Sequence, residues 1–414
     1  MKNFEKIVIV GNSGAAISAI KSIREAENLC PISMVSKEIY PAYSPVLTTY
    51  YVGNHIDRSR FFLVDEQFYK TCGVEVFFGN EAVDIDPQQQ RIRLKNDTTL
   101  PFDRLLIASG ASVKKPSFQG IDLDNVFTLR TLEDAEKIKV ASRTAREMIF
   151  VGAGLVSLQV ASQLYRRDLK MTFLVSSDQI LSQNLDLEGS RIVQHRIEKM
   201  GPSFLFNRDI QSIEKRKGRL TITTSQNETL KGDFVFIGKG VTPNIRFVQG
   251  RLETNKGILV NERLQTNLEA IYAAGDVTEG INPLTKQREI IANWPNACLQ
   301  GKVAGLNMIG QEETFTDFIP RNVTQIFDLL IASVGSVHDA QDIKSEQIEI
   351  SDPEREIYSK IFLQGTRIVG AIMIGDISDI GLIHSSIYEG NPIVPDKEFF
   401  SKYLLQLDGP LASF

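Results

Sequence analysis

The feature that most constrains this chain is a stretch that occurs twice. Residues 6–20 read KIVIVGNSGAAISAI, and residues 148–162 read MIFVGAGLVSLQVAS. Each opens on a short apolar, β-branched run, the pattern of a strand buried on both faces of a parallel sheet. Each then passes through a glycine turn into a helix. The first N–H groups of such a helix lack internal partners, and its dipole places roughly half a positive charge there. A strand, a glycine turn and a helix start together make a diphosphate site. Both copies depart from the strict G-x-G-x-x-G spacing. Gly11, Ser13 and Ala16 hold the three positions in the first, and Gly152, Gly154 and Ser157 in the second. One degenerate turn is a weak signal. Two at equivalent places in an internal repeat are a strong one.

The segments after each turn repeat as well. Residues 32–35 and 171–175 read as the next parallel strand. Residues 73–103 and 204–230 read as β-meanders, and residues 104–108 and 233–237 as buried strands that break at glycine. Two copies of one order imply two dinucleotide-binding domains. Glu38, just past a second strand, is placed to accept both hydroxyl protons of a ribose. Residues 271–274 form a short strand stopping at Gly275-Asp276, where an aspartate can hydrogen-bond a polyol. Residues 292–310 read as a helix with Pro295 at its first position. Residues 40–53, YPAYSPVLTTYYVG, read as a rigid loop because of Pro41 and Pro45. Its tyrosines Tyr43, Tyr50 and Tyr51 either pack the loop or lie over a ring system. His55 and His195 read as surface or cap histidines. Beyond about residue 315, strands at 358–363 and 368–374 and a helix at 379–388 predict a smaller α+β domain.

The fold expected is α/β: two Rossmann-like dinucleotide-binding domains, each with a β-meander, plus a small C-terminal α+β domain. The boundaries fall at 1–117 and 241–316 for the two parts of the first domain, 118–240 for the second and 317–414 for the third. A net charge of −5 with no dense basic run argues against a nucleic-acid surface. No apolar run is long enough to span a bilayer, and a strand starting at residue 6 leaves no room for a signal peptide. The three cysteines, Cys30, Cys72 and Cys298, lie far apart without C-x-x-C spacing. That excludes a local iron–sulfur or zinc motif, predicts no metal site, and suits a cytoplasmic protein.

The ordered elements GNSGAA (11–16), LLIASGA (105–111), TLRTLEDA (128–135), GAGLVSLQ (152–159), GKGVTPN (238–244) and IYAAGDV (271–277) carry a resemblance. Over nearly its whole length the chain resembles the FAD-dependent pyridine nucleotide-disulfide oxidoreductases. The resemblance implies that Gly11, Ser13, Gly14, Ala15 and Glu38 hold the pyrophosphate and ribose of FAD. The backbone of Val83 would meet the adenine. Pro45, Ala108, Ser109 and Gly110 would line the flavin crevice, Arg130 would reach the FAD, and Gly275 and Asp276 would hold the ribityl and phosphate region. The helix opening at Trp294-Pro295 would point its positive end at the flavin N1–C2=O edge, where hydride addition leaves negative charge. In the second unit Gly152, Gly154, Leu155, Gln159, Ser176 and Gly240 would bind NAD. No catalytic side chain is implied.

Departures from the family pattern narrow the chemistry. Thr48 stands where relatives carry a redox cysteine, so thiol chemistry there is excluded. Thr49 and Gln159 stand where many relatives pair a lysine with a glutamate beside the flavin. Losing both together avoids a buried unpaired charge. Neither an acid at Val175 nor a neighbouring arginine marks the nucleotide preference, and the lack of positive charge for a 2′-phosphate favours NAD. By loop type the chain is similar to ferredoxin and rubredoxin reductases and the flavin portion of assimilatory nitrite reductases. With DQILSQNLD (178–186) it resembles the flavin subunit of phenylglyoxylate dehydrogenase-type 2-oxoacid oxidoreductases. The implied activity is hydride transfer between NAD(H) and FAD, with electrons exchanged with a ferredoxin-like iron–sulfur protein or subunit in a hetero-oligomeric complex. A free-standing NADH dehydrogenase or oxidase and a non-catalytic flavin-bound assembly subunit are the alternatives.

Overall fold

The computed structural model describes residues 5–337 and 346–390. The chain divides into two compact units, residues 1–178 with 201–318, and residues 179–200 with 319–414.

In the first unit β1 (Ile7–Val10) is buried along its whole length. It leads into α1 (Gly14–Glu25), β2 (Ile32–Ser36), the short helices α2 (Leu47–Val52) and α3 (Glu66–Thr71), and β3 (Val74–Phe78). An antiparallel trio follows: β4 (Ala82–Asp86), β5 (Arg91–Leu94) and β6 (Thr99–Pro101). After β7 (Arg104–Ile107), the strands β8 (Ala111–Val113) and β9 (Val126–Phe127) lead to α4 (Leu132–Ser142). The second repeat runs β10 (Glu147–Val151), α5 (Leu155–Leu164) and β11 (Lys170–Val175). After α6 (Leu187–Lys199) come β12 (Ser203–Phe206), the antiparallel β13 (Ile210–Arg216), β14 (Arg219–Thr224) and β15 (Thr229–Gly232), then β16 (Phe234–Ile237) and β17 (Val241–Pro243). The unit closes with β18 (Ile258–Leu259), β19 (Ile271–Ala273), β20 (Thr278–Ile281), β21 (Arg288–Glu289) and α7 (Trp294–Met308).

Two all-parallel sheets result, ordered β19-β7-β1-β2-β3 and β12-β11-β10-β16-β9. Two features correct the sequence reading. β3 and β12, expected as the first strands of the meanders, instead extend the parallel sheets, and only the three strands after each are antiparallel. The buried Val74 of β3 has an apolar sheet face to join, whereas β5 alternates exposed and buried as a meander strand should. The expected loop at 40–53 contains α2, with Thr48, Thr49, Tyr51 and Val52 buried. Its N-cap is Val46, which makes no side-chain cap bond, so the usual start signal is missing.

Helices α1 and α7 meet backbone to backbone through small residues. A Cβ on Gly301 would lie 2.0 Å from the carbonyl oxygen of Ala15, and one on Gly305 2.8 Å from that of Ala19. Ala16, Ala19 and Ala304 are fully buried. We expect Gly301→Ala to push the helices apart and cost about 1–3 kcal/mol, the ordinary price of overpacking, with a matching fall in the midpoint of denaturant unfolding.

The second unit is an antiparallel sheet ordered β22 (Arg321–Ile326), β23 (Leu329–Gly335), β26 (Arg367–Ile374), β25 (Ile357–Gln364), β24 (Glu346–Asp352), with α8 (Ile380–Glu389) against it. The segment 179–200, between β11 and β12 in sequence, belongs to this unit. Asp186 caps α6 through the Gly189 N–H at 3.0 Å. Its other carboxylate oxygen accepts the Tyr358 hydroxyl at 2.6 Å and Lys360 Nζ at 2.9 Å. Lys360 also reaches Glu349 at 3.1 Å. A carboxylate this buried is held by charge-assisted donors on two sides.

Candidate functional site

The two repeats build the same local geometry. Gly11 and Gly152 have φ of +120° and +101°. A Cβ on Gly11 would lie 2.0 Å from the Ala108 carbonyl oxygen, and one on Gly152 2.3 Å from the Gly238 carbonyl oxygen. In each unit the turn after the first strand is thus pressed against the end of the third, and only glycine fits. The third motif positions, Ala16 and Ser157, are buried at 0% and 1% exposure, where a small side chain lets helix and sheet close up.

Helix caps separate the two repeat helices from the other long helices of their unit. In the first unit α4 is closed by a capping box of Thr131 and Asp134, and α7 by Asn293, which accepts the Asn296 N–H at 3.0 Å. By contrast α1 and α5, with Ser13 and Gly154 as N-caps, have no side-chain cap and no acid in the first turn. Their leading N–H groups and positive ends are left for an anion. Gly154 has nothing within 4 Å of where its Cβ would be, and Leu155 opens α5 beside that space. The turns therefore fit pyrophosphates.

Some of the residues named from the sequence meet at the first turn, and others lie elsewhere in the unit. Gly14 meets the Trp294 ring and Cys298 Sγ, both 2.9 Å from where its Cβ would lie, so Trp294 packs on the diphosphate turn itself. Gly275, at φ +86°, sits between Ala15 and Ala297. Its N–H donates to Gln300 Oε1 at 2.7 Å. Arg130 Nη2 lies 2.8 Å from Asp276 Oδ2 and beside Gly110, so the two polar groups assigned to the FAD hold each other. Val83 lies at a break in the β4–β5 register, between Ala82 and Asp84, where one backbone unit is left out of the ladder. The carbonyl of Pro45 accepts the Thr48 hydroxyl at 2.6 Å. α2, with Thr49, packs against α5, with Gln159.

Two residues take roles that the sequence reading did not assign to them. Asn244 ties the flavin-side crossover together: its Nδ2 donates to the Ser109 carbonyl at 2.8 Å, its N–H to the Gly110 carbonyl at 2.9 Å, and its Oδ1 accepts the Ser112 hydroxyl at 2.7 Å. The antiparallel pairing of β8 with β17 continues this link. Tyr43 donates to Glu38 Oε2 at 2.6 Å and accepts the Leu132 N–H at 3.1 Å. Neither separation, five residues or 89, carries a local signal.

Burial pushes the Glu38 carboxyl above the usual glutamate range, partly offset by the Tyr43 hydrogen bond. Burial likewise pushes Tyr43 up, with the nearby Glu38 charge adding to it, so the phenol stays a donor. The thiols of Cys30, Cys72 and Cys298 are all pushed up by burial and are held protonated. One expectation is corrected here. Positive charge is not lacking at the β11 tip, since Lys239 Nζ lies 3.4 Å from Ser176 Oγ. Gly240, next to it, has φ +84° and open space around it.

Two uncapped helix starts above two parallel sheets define a protein that holds two dinucleotides. The chain belongs to the pyridine nucleotide-disulphide oxidoreductase family, which it matches over residues 5–301; residues 320–391 match the rubredoxin NAD+ reductase C-terminal domain. It is an FAD-dependent oxidoreductase of NAD(H). It is 27% identical to the NADH-dependent phenylglyoxylate dehydrogenase subunit epsilon of Aromatoleum evansii, covering 95% of this chain and 94% of that one. It is also 27% identical to the NADH-rubredoxin oxidoreductase of Clostridium acetobutylicum, over 90% and 92% of the two chains. A ferredoxin reductase from Rhodopseudomonas palustris superposes with a TM-score of 0.88 at 20% identity, over 97% of this chain and 99% of the other, a likeness of fold.

Ionised Glu38 would accept the ribose hydroxyls of FAD; the protonated form would lose an acceptor. Because its carboxyl titrates above the ordinary range, FAD retention falls early on acidification, starting above the pH at which a surface glutamate protonates. Gel filtration across pH 7.5 to 5, followed by flavin absorbance, reads this. Glu38→Gln is expected to retain FAD poorly at every pH and to lose the pH dependence.

Proposed function

We propose that the chain carries electrons between NAD(H) and an iron–sulfur protein or subunit, as the flavin-bearing member of a hetero-oligomeric complex of the 2-oxoacid (phenylglyoxylate-type) dehydrogenase kind. The observation that carries this reading is the pair of uncapped diphosphate turns in a chain whose thiols are all held protonated. Bound FAD supplies the exchange between two-electron hydride transfer and single-electron chemistry. The chain's own residues bind and orient. Gly11 to Ala15 would take the FAD pyrophosphate, Glu38 its ribose and Asp276 its polyol, with Arg130 holding Asp276 in place. α7 directs its positive end towards the crevice that Ala108, Ser109 and Gly110 border.

Thr48 donates its hydroxyl to the Pro45 carbonyl and offers no nucleophile. Among the described residues no cluster of His, Cys, Asp and Glu can hold a metal, and no helix is long and apolar enough to cross a membrane. These features favour an acceptor on another chain over one within this one. The named activities of the relatives, with NADH on one side and rubredoxin or a 2-oxoacid dehydrogenase on the other, point the same way. The cytoplasm, where soluble ferredoxins and NADH meet, is the compartment this reading requires.

Purification from the native host under anaerobic conditions tests the reading. NADH is expected to bleach the flavin band, and iron–sulfur subunits are expected to copurify or a purified ferredoxin or rubredoxin to be reduced. Rapid turnover with oxygen alone, with no copurifying subunit and no reduction of either protein, would instead establish a free oxidase. A flavin that NADH does not bleach would leave only an assembly role.

A further inference from the structure

In a dinucleotide unit the adenosine ribose lies at the tip of the second strand, in the crevice above the sheet. Here β11 ends at the buried Val175 and runs on as the exposed Ser176. This tip offers a hydroxyl and no strand-end carboxylate. β16, which lies on the far side of β10 from β11, ends at Ile237, and Lys239 follows it. The lysine reaches back across the mouth of the second glycine turn. Its Nζ lies 3.4 Å from Ser176 Oγ and 2.8 Å from Asp209 Oδ1, with only 17% of the side chain exposed. Asp209 is brought there because the preceding Arg208 N–H bonds the Val175 carbonyl at 3.0 Å. Arg208 itself is committed elsewhere: its guanidinium grips both carboxylate oxygens of Glu228, at 2.7 and 3.0 Å, and the Phe206 carbonyl at 2.7 Å.

Lys239 is therefore a largely sheltered cation whose acid partner, Asp209, is 43% exposed. An ion pair with one partly solvated member is weak and exchangeable. A phosphate dianion offers the same ammonium more charge and more acceptor oxygens than one carboxylate does. We propose that Lys239, with the Ser176 hydroxyl as second donor, forms a subsite for a ribose 2′-phosphate, so that the second glycine-turn repeat takes NADPH as well as NADH. With NADH the Lys239–Asp209 pair stays closed. With NADPH the ammonium turns to the phosphate, and Asp209 opposes the exchange by its charge. This subsite rests on the reading of the second repeat as the nicotinamide-dinucleotide site.

The test is calorimetric titration of the FAD-loaded protein with 2′,5′-ADP and with 5′-AMP, which differ only in the 2′-phosphate. The wild-type protein is expected to bind 2′,5′-ADP more tightly. Lys239→Gln is expected to lower the ratio of the two affinities about tenfold, the size of one charge-assisted hydrogen bond. Ser176→Ala, on an exposed side chain that cannot disturb the core, lowers the ratio in the same direction, and Asp209→Asn raises it. A wild-type ratio near one, or an equal loss of both ligands in Lys239→Gln, overturns the subsite. Anaerobic bleaching by NADH, run in parallel, separates the two ideas. Bleaching with a ratio near one leaves the proposed function standing and removes the subsite. With no bleaching the function reading falls, and the affinity ratio still decides the subsite.

Discussion

The contact between the backbones of α1 and α7 is the constraint on which the rest of the cofactor site depends. Ala15 and Ala19 on one helix face Gly301 and Gly305 on the other, and the Ser22 hydroxyl of α1 reaches the Lys302 carbonyl of α7. Helices that close bring their neighbouring elements into register. Gly275 is caught between Ala15 and Ala297, and Trp294 lies on the Gly14 turn. The start of α1, open to a diphosphate, and the start of α7 are thereby held side by side.

The polar groups around this frame hold one another in place. Arg130 and Asp276 hold each other, Tyr43 holds Glu38, and Asn244 binds together the stretch from Ser109 to Ser112. Such preorganisation lowers the ordering cost of binding a large cofactor. It has a cost of its own at Glu38, whose burial raises the free energy of the charged form that a ribose needs. The Tyr43 hydroxyl, itself fixed by the Leu132 N–H, offsets part of that cost.

How much was legible in the sequence depends on the range of each interaction. The strands at Ile7–Val10 and Glu147–Val151, their glycine turns and the helices after them are local, and residue pattern alone located them. Motif order assigned Arg130 and Asp276 to the same cofactor but did not pair them with each other, since 146 residues separate them. The hidden parts are long-range or weakly marked. α2 lacks a polar N-cap and sits in a proline-rich stretch. β3 and β12 are set apart from the meander strands mainly by which neighbour they find. Lys239 lies 63 residues from Ser176 in sequence, and only the sheet order makes them neighbours. A search for charge next to the β11 tip along the chain could not have found it.

The placement of α6 bears on how this architecture can be recombined. The match to the rubredoxin reductase C-terminal domain spans residues 320–391, as if that domain were an appendage at the end of the chain. Yet Asp186, between two strands of the second parallel sheet in sequence, is the buried acceptor for Tyr358 and Lys360. The C-terminal domain is therefore laced into the middle of the chain. A gene truncated after residue 318 would leave α6 with no sheet to cover its apolar face, and a transplanted C-terminal segment would lack the helix it was built around. The two units are separable by contact but not as cassettes, and exchange between related proteins has to move 179–200 along with the end of the chain.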